Sequence, residues 1–246
     1  MNKVKEVLKR IGEYVWECFK GSFMSGFTYV LASMILLMLT IKDGAKYSEQ
    51  MTWCVVVIVL ALAYNGLLTW NYGSTNFEML VSGNMKRMSM EKFGTEYKIS
   101  SHKYVKEYRI WKGFAMGAFC VVIPLIVALF FGANAEEINR VALGEGTMDK
   151  GKGIAVLIGL FFSGWTILPF YCMNMAGLTV SYYFSLLIAV LPVFVSGGTY
   201  IWGAYAKRAK NIRAQELADR AMQAEANKPK KINYGGLPGT KPKKRK

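Results

Sequence analysis

Hydrophobic residues fall into long blocks along this chain and do not alternate with polar ones. Residues 22–41, 52–70 and 113–132 each form one apolar run of the length a helical membrane crossing needs, roughly 20 residues. A last block, Gly153 to Gly203, holds no Asp, Glu, Lys or Arg. It is about 50 residues long, too long for one crossing and too short for three with ordinary loops. Its one natural turn is Met173–Gly177, which contains Asn174, and this divides it into spans at 153–172 and 178–203. The pattern predicts an all-α, polytopic helical integral membrane protein with five membrane segments, six being the alternative.

Between the blocks the pattern is amphipathic. Val4, Val7, Leu8, Ile11, Val15, Cys18 and Phe19 share one helical face of residues 3–20, with Lys and Glu on the other. Such a helix suits the membrane–water boundary, so residues 1–21 read as an interfacial element ahead of a transmembrane domain at 22–206. In the connection 71–112, Phe77, Leu80, Val81, Met85 and Met88 recur at helical spacing. After Gly94, the residues Tyr97, Tyr104, Tyr108 and Trp111 form a second stripe. Two basic surface helices are expected there, lying on anionic headgroups. Residues 207–226 read as a charged helix. The segment from Asn227 to Lys246 carries eight positive charges and no acid, a composition that cannot bury a core.

Charge turns the span count into a topology problem. The net charge is +15, which in a membrane protein signals cytoplasmic loops before it signals nucleic acid. Specific nucleic-acid binding is not expected, since the tail has no aromatic interleaving beyond Tyr234. Five full crossings put the basic N-terminal segment and the basic tail on opposite sides. An even number places the N-terminus, the 71–112 connection and the tail together, 26 basic residues against 5. The even solution requires the block 153–203 to break its path, near Pro169–Gly177 or Pro192–Gly198. Pro124, Pro169, Pro192, Gly197 and Gly198 are the candidate helix breaks.

Candidate chemistry is sparse. No ionisable Asp, Glu, Lys, Arg or His falls within the predicted spans, which argues against a proton relay. The cysteines Cys18, Cys54, Cys120 and Cys172 form no CxxC pair, and His102 is the single histidine. No catalytic residue, metal site or cofactor is therefore assigned, and an enzyme is not expected. The polar span residues are Asn65, Thr69 and Asn174. Helix-packing candidates are Gly113 and Gly117, then Ala155, Gly159 and Ser163, then Ser181 and Ser185, each set at four-residue spacing that lets helices approach. These features favour a non-catalytic membrane subunit or scaffold, with a membrane partner or a homo-oligomer. The alternative is a small-molecule transporter or substrate-binding membrane component. The composition suggests a multi-pass protein of a cell membrane, the bacterial inner membrane in particular.

Overall fold

In the computed structural model the described residues are 2–40, 46–92 and 105–227. Among them the chain forms six α-helices: α1 (Asn2–Thr40), α2 (Tyr47–Lys92), α3 (Trp111–Ala133), α4 (Ala135–Ala142), α5 (Lys150–Met175) and α6 (Ser185–Ala226). A single 3₁₀ turn, Tyr182–Phe184, precedes α6. All but α4 are long and apolar enough to cross a membrane, as expected of a multi-pass helical protein.

Several boundaries differ from the sequence reading. Residues 3–20 are not a separate surface helix but the first half of α1, whose 39 residues rise about 58 Å. One continuous stripe explains this. Val4, Leu8, Ile11 and Val15 continue without a slip into Cys18, Ser22, Ser25 and Tyr29, so nothing in the pattern ends the helix at Gly21. In the same way the stripe at Phe77–Val81 belongs to a 46-residue α2, not to a helix lying apart from it. The second expected surface helix lies largely outside the described residues, and so do His102 and the tail beyond Asn227.

None of the five candidate breaks interrupts a helix. Pro124, Pro169 and Pro192 sit inside α3, α5 and α6, and Gly197 and Gly198 also lie within α6. In a helical membrane bundle, neighbours compensate the hydrogen bond a proline removes. The break in the last block falls instead at Ala176–Ser181. Gly177 takes φ = 84°, its N–H donates to the Asn174 carbonyl at 3.1 Å and the Leu178 N–H to Met173 at 3.0 Å. That is a Schellman stop, which needs the left-handed conformation glycine tolerates best.

The contacts fix the direction of each helix. Gln50 Nε2 donates to the Thr40 carbonyl at 2.8 Å, closing an α1–α2 hairpin. Residues α1 and α3 pair in register order: Tyr14 with Trp111 (5.6 Å between ring centroids), then Phe19 with Phe119 (5.9 Å). These two helices run parallel. Along α3, Gly113 faces Tyr200, Gly117 faces Pro192 and Val193, and Gly132 faces Tyr183, so α3 and α6 are antiparallel. Asn65 meets Ser196, Thr69 meets Thr199 and Glu78 meets Lys207, so α2 and α6 are parallel. Helices α1, α2, α3 and α6 therefore alternate in direction, and α5 is left over.

Helix α5 makes a closed excursion. Its first turn is capped by Asp149, which accepts from the Gly151 N–H at 3.1 Å, and is held by Lys152 to Glu137 of α4 at 2.6 Å. Beyond its last turn, the Asn174 side chain donates to the Val180 carbonyl at 3.0 Å and accepts from the Val180 N–H at 2.7 Å. Two residues later the Tyr182 hydroxyl donates to Asn139 of α4 at 2.7 Å. The chain thus leaves α3 at Gly132 and returns against Gly132 at Tyr183. In between, α5 packs its small faces into the bundle, Gly159 against Val127 and Phe131 and Gly164 against Ser33. Trp165 is fully buried, its ring stacked on Tyr29 at 4.4 Å, and its backbone N–H donates to Ser33 Oγ at 3.1 Å.

One end of the bundle therefore carries the start of α1, the far half of α2, residues 105–110 and the exit of α6. The other carries Lys46, α4 and the 143–149 loop. Exposed Trp16, Trp70, Trp111 and Trp202 gather at the first end, and exposed Trp53 marks the second, as interfacial belts do. Residues 209–226 form a second unit, a helical segment whose side chains are nearly all exposed.

Because Asn174 satisfies both backbone groups of Val180, replacing it leaves two part-buried polar groups without that partner. Asn174→Ala is expected to lower stability by about 1–3 kcal/mol in a reversible detergent-unfolding titration. An unchanged midpoint would show that the turn is held by other contacts.

Candidate functional site

The densest polar arrangement within the bundle is the seam where α2 and α6 run side by side. Asn65 Nδ2 donates to Ser196 Oγ at 3.0 Å. One turn on, the Thr69 and Thr199 hydroxyls share a hydrogen bond of 2.6 Å, and the hydroxyl that accepts in it donates back to its own helix, Thr69 to the Asn65 carbonyl or Thr199 to that of Val195. At the edge of the belt Asn76 Nδ2 donates to the Tyr200 hydroxyl at 3.0 Å. Asn65, Thr69 and Tyr200 are essentially inaccessible. In hydrocarbon such side chains need partners on a neighbouring helix, and here each has one, Asn65 through its Nδ2 alone.

The backbone follows a reciprocal arrangement. Thr69 and Gly73 stand four apart on α2, and Thr199 and Gly203 stand four apart on α6. A methyl group at Gly73 would overlap the Tyr200 carbonyl, and one at Gly203 would overlap that of Trp70. Each glycine thus lies against the carbonyl of the residue that follows the other helix's threonine. The pair is locally two-fold, with the Thr69–Thr199 bond near its centre. Such close approach permits Cα–H···O contacts, which are weak singly and recurrent at helix interfaces.

At the basic end the segment 105–110 seals the seam. The Tyr108 N–H donates to the Asn76 carbonyl at 3.0 Å, and its ring stacks on Tyr200 at 5.3 Å. Burial holds the Tyr108 phenol above its ordinary pKa, with the neighbouring Tyr205 adding to the shift. Lys112 is fully buried. Its Nζ donates to the carbonyls of Val105 and Glu107 and lies 5.9 Å from the centre of the Tyr14 ring. Two carbonyls and a π face account for the three donors of an ammonium group. The lysine works as a clasp on the turn.

The residues singled out from the sequence divide between several places. Asn65 and Thr69 belong to the seam. Asn174 does not; it holds the turn after α5. Gly113 and Gly117 do pack a helix pair, against α6. Gly159 packs on α3, Ser163 is fully buried beside it, and Ala155 is half-buried. Ser181 is exposed and Ser185 fully buried. Ser181 lies ahead of α6 and caps the 3₁₀ turn, and Ser185 donates to the Tyr182 carbonyl at 2.6 Å.

Sequence reasoning missed Gly73, Gly203, Ser196 and Thr199. The signal was present as two Thr-x-x-x-Gly motifs, but the predicted second span ended at Trp70, which left Gly73 outside it and its match to Thr199 and Gly203 unseen.

Two apolar cavities adjoin the bundle surface. One of about 510 Å³ lies beside the seam, between Leu62, Gly66 and Trp70 of α2 and Val195 and Trp202 of α6. The other, about 500 Å³, lies among α1, α3 and α5. Among the described residues no group of three His, Cys, Asp or Glu could hold a metal ion. No family model, curated protein or solved structure matches the chain, so its function has to be argued from this geometry.

The seam predicts energetic coupling between its two threonines. In a double-mutant cycle of Thr69→Val and Thr199→Val, a coupling of about 0.6 kcal/mol, at most ~1.7, is expected. Gly73→Leu should separate the helices and cost more than either threonine change. Strict additivity of the valine variants would contradict a shared bond.

Proposed function

We propose that this protein is a non-catalytic membrane subunit or scaffold, a multi-pass helical anchor that presents long helices at its basic end. The observation that carries the reading is the fate of its polar span residues. Asn65, Thr69 and Asn76 are engaged with Ser196, Thr199 and Tyr200, and Asn174 with Val180. The first three hold helices together, Asn174 holds a turn, and none of the four lines a polar route. A transporter of a neutral or anionic solute needs convergent polar groups facing a cavity, whereas the two cavities described are lined mainly by apolar side chains.

The remaining surface supports the same reading. A helix needs about 30 Å to cross the hydrocarbon, while α2 has 46 residues and rises about 69 Å. The excess of α1 and α2 projects at the basic end. There Val4, Leu8, Ile11 and Val15 stay exposed along α1, on a face whose continuation at Cys18, Ser22, Ser25 and Tyr29 is buried. By the positive-inside rule this end faces the cytoplasm, with anionic headgroups around its belt. The membrane is the cell membrane, and the composition suits a bacterial inner membrane.

The test is the size of the particle extracted from native membranes in mild detergent. A scaffold should migrate well above the 27.6 kDa of one chain, as a homo-oligomer or with a stoichiometric partner. A strictly monomeric particle, after correction for bound detergent, would contradict the reading.

A further inference from the structure

The cavity among α1, α3 and α5 has features of a binding site that the scaffold reading does not use. It runs along α1 from Phe19 to Met34, walled by Phe119 to Pro124 of α3 and by Phe161, Phe162 and Trp165 of α5. It exists because α5 makes no full crossing. That helix meets α1 at Tyr29 and Ser33 and α3 at Val127 and Phe131. The α1–α3 pair is therefore left without a neighbour on this side toward the basic end.

Its length selects the occupant. Phe19 and Met34 are fifteen residues apart, a rise of about 22 Å, against roughly 30 Å of hydrocarbon. A spanning helix would need the full thickness; a lipid chain entering from one leaflet does not. The floor at Gly26 is open, with no atom within 4 Å of where a Cβ would stand. The mouth is charged. Trp16 stacks on Phe19 at 5.6 Å, and exposed Lys20 holds its Nζ 5.2 Å over the Trp16 ring. An aromatic platform under an ammonium group, at the level of the aromatic belt, suits a phosphate headgroup.

We propose that this groove holds one acyl chain of an anionic phospholipid from the leaflet at the basic end, with Lys20 against its phosphate. The site is separate from the α2–α6 seam and stands whether or not the protein proves to be a scaffold. The rings grip the chain, and the lysine selects the charge.

Native mass spectrometry of the purified full chain tests this, with phosphatidylglycerol and phosphatidylcholine of identical acyl chains as probes. Wild type should retain one phosphatidylglycerol in preference to phosphatidylcholine by about fivefold, the scale of one basic residue at a membrane surface. Lys20→Gln should bring the two lipids to parity while chain retention persists. Gly26→Leu, which fills open space, should abolish retention of both without loss of helical circular dichroism. Equal retention of the two lipids by wild type would overturn the proposal, as would retention unchanged in Gly26→Leu or a preference unchanged in Lys20→Gln. A dimeric mass lost in Gly26→Leu would assign the groove to a second copy of the chain instead.

Discussion

The parallel run of α2 and α6 is the constraint on which the rest of this structure depends. Two helices joined through Asn65–Ser196 and Thr69–Thr199 must enter the bundle from the same end. The chain between them can then hold only one full return, which is α3. Everything from Asn134 to Tyr182 has to leave and come back on one side. The short helix α4 enforces this from two adjacent turns, with Glu137 holding the start of α5 and Asn139 holding the segment beyond its end. Charge follows the same logic. Lys150 and Lys152 begin α5, and burying them in lipid at the opposite end would be costly, so both ends of α5 stay on the side of the acidic loop.

This resolves a conflict that the sequence posed. Block lengths call for five long helices, and five are present. The distribution of Lys and Arg asks for an even number of crossings, and four helices alternate in direction. The two signals are compatible, because helix number and crossing number can differ. The sequence placed the necessary discontinuity near Pro169–Gly177 or Pro192–Gly198, and the first of these borders the observed turn at Ala176–Ser181. Proline was the wrong marker. Gly177, with its left-handed φ, and Asn174, with its side-chain bonds to Val180, are what end the helix. Both residues lie in Met173–Gly177, the one natural turn the sequence offers in this block.

Other features were legible only in part. The apolar blocks located every long helix, because 3.6-residue periodicity and hydrocarbon thickness both act locally. Boundaries at the aqueous ends were not legible, since a helix that leaves the membrane keeps its backbone bonds and simply changes the polarity of its surface. That is how α1 absorbed the expected interfacial helix and α2 the first surface helix. The seam was half legible. Asn65 and Thr69 stand out as polar residues in apolar runs, whereas Ser196 and Thr199 are too common in membrane helices to be marked. Their pairing depends on helix direction, which no local pattern encodes.

The central feature of the fold is four alternating helices and one returning helix. Single cysteines at Lys9, Ala142 and Arg208, placed in a chain stripped of its native thiols, test it most directly with a membrane-impermeant thiol reagent on intact cells and on inverted vesicles. Lys9→Cys and Arg208→Cys should label from the same face, the cytoplasmic one, and Ala142→Cys from the other. Labelling of Lys9→Cys and Arg208→Cys from opposite faces would mean that α5 crosses the membrane, and would contradict the parallel placement of α2 and α6.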